Sequence, residues 1–288
     1  MKLSIYFSAA IIILVVCAAS MGIFSTSGGK SFEHETVRGE TALISGTGLY
    51  RFDPAVLARE GIIWDAVNLF IAIPAFVIIL VFSARGSFRA RLMHTGFLAY
   101  FFYVYLMYAV MMAFNIMFLA YVAVFALAGA AFFINLWGIS IRDFLHHVSP
   151  RFPRKTFAIY FLILSAALVI LWTGRIIPVM TSGVFPKELA GLSTFQPQAM
   201  DLGMIVPMAL SAAILLLRNS PPGFFLAGIG ITHGLMMFIT IPGWIVIPLV
   251  QDGYTNWAEA VPFLLICLTG IFLFVLYFKN IIVLKKTG

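Results

Sequence analysis

Four polar side chains stand inside stretches that are otherwise apolar, where each could hold charge away from water. Asp65 lies in GIIWDAVNLFIAIPAFVIILVFSAR, and Asn68 shares its helical face three residues on. Arg175 closes LVILWTGR, and Asp201 opens DLGMIVPMALSAAILLLR. An ionisable group within a membrane costs roughly 2.5–3.5 kcal/mol on insertion scales, so each asks for a partner or a cavity. Guanidinium bonds carboxylates in a bidentate way, so Arg175 between Asp65 and Asp201 is the simplest satisfied arrangement. Such a cluster is either an ion pair that fixes helix packing or a site that opens outward. In the second case an acid binds a proton, cation or amine, or Arg175 binds an anionic head group. The helix dipole alone accounts for Asp201 at the start of its helix; Asp65 is deeper.

His233 falls mid-way along another apolar run, GITHGLMMF, where an imidazole could ligate haem, relay a proton or bond across helices. No second histidine lies at its depth, so no haem is expected, and the adjacent His146 and His147 lack metal spacing. No cofactor and no metal are expected. Tyr105 and Tyr108 belong to a tyrosine-rich run with Tyr100 and Tyr103, which either lines a pocket or packs as aromatic core. The site residues expected from sequence are thus Asp65, Asn68, Arg175, Asp201, Tyr105, Tyr108 and His233, with no catalytic residue assigned.

These residues must be positioned by membrane helices. Hydrophobic residues make up 62% of the chain and charged ones 10%, where a soluble domain carries about a quarter charged. The pattern predicts an all-α integral membrane protein with eight spans, at about residues 4–24, 61–83, 92–112, 116–138, 156–180, 199–217, 223–245 and 260–283. The first run also has the look of a secretory signal, but it is longer than a signal core. Net charge is +7, and the basic residues sit in short connections rather than on one soluble face, which argues against nucleic acid as a partner. Twelve of the 18 Lys and Arg fall on the side of the N-terminus, and ten of the 11 acids on the other, Asp143 being the exception. By the positive-inside rule both termini are cytoplasmic, in a plasma (bacterial inner) membrane. Cys17 and Cys267 both lie in apolar runs and form no metal or redox motif. Residues 25–60 form the longest polar segment. Its start reads as flexible, and Asp53-Pro54 reads as the cap of a short surface helix over 55–60.

Asp65, Pro74 and Arg85 find an echo in Asp201, Pro207 and Arg218. The proline-to-arginine spacing is equal (85 − 74 = 11; 218 − 207 = 11) and the acid-to-proline spacing is not (74 − 65 = 9; 207 − 201 = 6). This predicts two four-helix halves, 1–155 and 156–288, in parallel repeat. The stretch LAYFFYVYLMYAVMMAFNIMFLAYVAVFAL, with DLGMIVP, resembles a group of prokaryotic polytopic membrane proteins; the resemblance implies the membrane class and brings no activity. No Walker, HExxH or GxSxG motif is present. The expected function is a carrier or ligand-binding permease subunit for a small molecule or ion, with a polar site between the halves. The alternatives are a membrane receptor or accessory subunit, and an intramembrane enzyme acting on a lipid or quinone. Expected partners are the lipid bilayer, a small-molecule ligand or lipid, and a second copy or partner membrane protein.

Overall fold

The structure, a computed structural model, describes residues 2–36, 38–140, 144–183, 189, 191–253 and 257–282. Eight of its helices are long and apolar enough to cross a membrane, the build of a multi-pass membrane protein. They are α1 (Lys2–Phe24), α2 (Ala55–Ala84), α3 (Phe88–Met111), α4 (Phe118–Gly138), α5 (Arg154–Ser182), α6 (Gln196–Leu217), α7 (Pro221–Asp252) and α8 (Trp257–Lys279). Within residues 2–140, α1 packs on α2 and α4, α2 on α3, and α3 on α4. Within residues 154–279 the neighbours are α5 with α6, α6 with α7, α7 with α8, and α5 with α8. α3 and α7 are the inner pair: 67% and 72% of their spanning residues are buried, against 28–33% of the other six. They touch each other directly, and a Cβ on Gly96 would stand 2.4 Å from Thr232 Cβ, so the missing side chain sets their close approach.

Sequence explains much of this packing. The buried residues of α1 include Ser4, Ser8, Ile11, Val15, Ala18 and Gly22, a seam of alternating four- and three-residue steps that faces α2 and α4. Small residues in that seam let backbones approach, as membrane helices favour. At the end of the bundle that carries the N-terminus, arginines bond carbonyls that helix ends leave unpaired. Arg91 donates to Gly138 O at 3.0 Å, and Arg154 to Leu216 O and Leu217 O at 3.3 and 3.0 Å. Arg89 holds Ile281 O, just past α8, at 2.8 Å. The basic loops therefore also close helix ends. Of the charges counted above, Arg142, Asp143, Lys187, Glu188, Lys285 and Lys286 lie outside the described residues.

The 25–60 segment differs from its sequence reading in three ways. Its start is ordered as an antiparallel hairpin, β1 (Phe32–Glu35) on β2 (Thr41–Ile44). Arg38 at the hairpin tip donates to Leu192 O and Ser193 O, at 3.1 and 2.6 Å, in the connection before α6. Residues 55–60 are not a separate surface helix; they are the first turns of α2, which runs unbroken to Ala84. Asp53 does not cap that helix. Pro54 occupies the cap position, and Asp53 Oδ1 instead accepts from the Ala113 N–H at 2.7 Å, tying the segment to the α3–α4 turn.

Candidate functional site

α2 and α6 each contain one wide, π-helical turn, Asn68–Ala72 and Asp201–Ile205. A proline follows each, Pro74 and Pro207. Proline brings no N–H, and its ring crowds the carbonyl four residues back. Widening the preceding turn relieves that crowding without ending the helix. Ile73 N reaches back five residues to Asn68 O, as Val206 N reaches Asp201 O. The residue that opens each wide turn presents its side chain to α3. Tyr100 donates to Asn68 Oδ1 at 2.7 Å, and Tyr103 donates to Asp201 Oδ1 at 2.6 Å.

Asp65 lies one turn before the wide turn of α2 and is 1% exposed. Its oxygens accept from two tyrosine hydroxyls: Tyr50 to Oδ2 at 2.5 Å and Tyr108 to Oδ1 at 3.1 Å. Tyr108 Oη also lies 3.0 Å from Gly61 O. A hydroxyl has one proton and two acceptor lone pairs, so Tyr108 chooses between Asp65 and Gly61. Opposite, α1 passes so close that a Cβ on Gly22 would stand 1.7 Å from Asp65 Oδ2; only glycine leaves room for the carboxyl. Tyr105 and Tyr121 complete the wall, with ring centroids 5.5 and 5.1 Å from that of Tyr108. Tyr105 Oη and Asn68 Nδ2 are buried and make no hydrogen bond among the described residues.

Asp201 is held differently. Its second oxygen accepts from Trp172 Nε1 at 2.9 Å, so one carboxyl joins α3, α5 and α6. Arg175 does not sit between the acids as expected. Its guanidinium lies over the Trp172 ring, 5.3 Å from the centroid, and the acids take hydroxyl and indole donors instead. Neutral donors fit where a helix-borne guanidinium would have to reach across a packed interface. His233, buried in α7, packs edge-on against Tyr103 and Tyr100, with centroids 5.5 and 6.5 Å away. The seven residues expected from sequence thus fall into two groups. Asp65, Tyr105 and Tyr108 share a cluster enclosed by α1, α2, α3 and the 25–60 segment. Asp201, Arg175 and His233 gather where α3 meets α5, α6 and α7. Asn68 faces Tyr100 between them. Of the two acids, Asp201 alone joins a helix of residues 2–140 to helices of residues 154–279; Asp65 is walled in by residues of the first 121.

Sequence reading missed several participants. Tyr50 comes from the polar segment, and Tyr121 and Trp172 from other helices, with no local signal of their role. His94 is a buried knot of the first four helices, 2.7 Å from Ser8 Oγ on α1 and 3.4 Å from Ser83 Oγ on α2. Asn135 of α4 lies 3.3 Å from the same ring. A histidine flanked by serines and an asparagine on other spans was the available clue. Among the described residues no three His, Cys, Asp or Glu side chains come together as a metal ligand set. No protein family, curated protein or solved structure matches the chain.

Proposed function

We propose that this chain is a proton-coupled carrier of the bacterial inner membrane, with Asp65 as the proton-exchanging residue. The observation that carries the reading is the Tyr108 hydroxyl, 3.1 Å from Asp65 and 3.0 Å from Gly61 O. When Asp65 is ionised, Tyr108 donates to it. When Asp65 is protonated, Tyr108 turns its proton to Gly61 O and its oxygen accepts the acid's own hydrogen. Both charge states are hydrogen-bonded without moving a heavy atom. The cluster leaves no space for a hydrated ion, since Gly22 and four tyrosine rings fill the surroundings. A proton needs none.

The carrier reading includes a parallel repeat of 1–155 and 156–288, with both termini cytoplasmic. What supports the repeat is a run of features at one offset. The wide turns open at 68 and 201 (201 − 68 = 133), the prolines follow at 74 and 207, and the helices end at Arg85 and Arg218. Gly86 and Asn219 then both take positive φ, 86° and 54°, the left-handed cap that ends many helices. The closing bonds match as well: Ser87 N to Phe82 O, and Ser220 N to Leu215 O, each 133 apart. A two-fold axis along the membrane normal would make equivalent residues meet each other at the axis. Tyr100 meets His233 (233 − 100 = 133). A Cβ on Gly96 would be 3.2 Å from Ile229 O (229 − 96 = 133). The orientation rests on the charge asymmetry of the two ends.

The test is proteoliposomes with a trapped pH dye, challenged with panels of small solutes. Solute-driven proton movement in wild type, absent in Asp65→Asn, is expected. Equal movement in the variant removes Asp65 from the role.

A further inference from the structure

A groove of about 410 Å³ runs between α2 and α7, away from the Asp65 cluster. Its walls are Ile62, Ile63, Ala66 and Val67 of α2 and Ile239 and Gly243 of α7, with Arg59 at one end. The volume falls within the range of small-molecule sites, roughly 300–1,000 Å³. Ala66 leaves one wall shallow. Gly243 lets Ile63 close the groove against α7, since a Cβ there would stand 2.8 Å from Ile63 Cγ2.

The groove has the dimensions and polarity of one lipid chain. From Arg59 to Val67 is eight residues of helix, about 12 Å of rise. A single leaflet's hydrocarbon is about 15 Å deep. Arg59 lies in the first turns of α2, six residues before Asp65, on the side of the outer segment. That places a guanidinium at head-group level and the apolar walls below it. Guanidinium is the side chain best matched to phosphate. We infer that the α2–α7 groove binds an anionic phospholipid of the bilayer, one acyl chain along the apolar walls and the phosphate on Arg59. The neighbouring Glu60 acts on Arg59 electrostatically and offsets part of its charge, which limits the preference for an anion. The site is independent of the carrier reading. It lies on a different face of α2, and it would be occupied whether or not Asp65 exchanges a proton.

Native mass spectrometry of the intact chain tests it. The protein is released from mixed micelles of phosphatidylglycerol and phosphatidylcholine with identical acyl chains. Wild type is expected to retain one phosphatidylglycerol per chain, with at least a tenfold preference over phosphatidylcholine. Arg59→Gln brings the ratio close to one, Arg59→Lys keeps most of it, and Glu60→Gln raises it. Ala66→Phe fills the groove and lowers retention of both lipids severalfold. Equal retention of the two lipids by wild type would overturn the site. So would an unchanged preference in Arg59→Gln, a variant that leaves the apolar packing untouched. Unchanged retention in an Ala66→Phe protein that still elutes as a folded species would do the same.

Discussion

In α2 the residue that opens the wide turn is an amide, Asn68, and the acid, Asp65, stands three residues before it. In α6 the acid, Asp201, opens the turn, and an amide, Gln198, stands three residues before it (198 − 65 = 133). The two helices share proline, arginine and left-handed cap, yet acid and amide have changed places. The consequence is visible in their surroundings. Asp65 is sealed under Tyr50, which the 25–60 segment supplies, and is packed against Gly22. Asp201 is only partly buried and clamps three helices through Tyr103 and Trp172. The chain thus carries one acid enclosed by tyrosine hydroxyls and one that ties three helices together. Which becomes which depends on a three-residue shift along the helix and on what covers it.

The sharpest way to break the comparison is to neutralise each acid in turn. Asp65→Asn is expected to abolish proton movement, tenfold or more, while the fold survives, because tyrosine hydroxyls accept as well as donate. Infrared difference spectra across a pH jump should show a carboxyl band in wild type that is missing from this variant; a band that persists assigns the proton elsewhere. Asp201→Asn should do the reverse. An amide accepts on one atom only, so it keeps the donor-only Trp172 and turns its N–H₂ to the Tyr103 oxygen, leaving the Tyr103 proton without an acceptor, at a cost of about 1–3 kcal/mol. Its melting temperature in detergent should fall, with proton movement kept.

Gly22→Ala probes the seal alone. A methyl placed 1.7 Å from Asp65 Oδ2 must displace the carboxyl or α1, for which overpacking costs of about 1–3 kcal/mol apply. A thermal melt checks it, and an unchanged melt would remove the α1–α2 seal as a source of stability. Tyr103→Phe removes one arm of the Asp201 clamp and should cost about 1–2 kcal/mol. Its melting temperature in detergent checks this.

The smallest effect concerns the 25–60 segment. Burial pushes the Asp53 carboxyl up to about 7, against the pull of the Ala113 N–H, and its Oδ2 is buried without a hydrogen bond among the described residues. The folded chain then keeps this proton to about pH 7, while the unfolded chain releases it near 3.8. Stability from this group is therefore full below the lower value, falls as pH rises between the two, and stays reduced above the higher. Asp53→Asn keeps the oxygen that accepts from Ala113 and removes the charge. It should match wild type at pH 4 and exceed it at pH 8 by about 1–3 kcal/mol. An equal gain at both values would show that the charge is not the cause.

Eight helices, their approximate limits and the separation of acids from bases were legible in the chain. Apolar runs of about twenty residues have few other fates. The proline and arginine of α2 and α6 were legible too, because spacing along one helix is a local property. Where the wide turns lie was not: they open at Asn68 and at Asp201, so the two acids stand at different places relative to them. The donors to Asp65 come from residues 50 and 108, and those to Asp201 from 103 and 172. No pattern along the chain joins such distant positions. A buried carboxyl announces in sequence only that it needs partners. Whether they are an arginine or a set of hydroxyls is decided by which helix faces close on it, and those faces are set by the glycines and tyrosines of neighbouring spans.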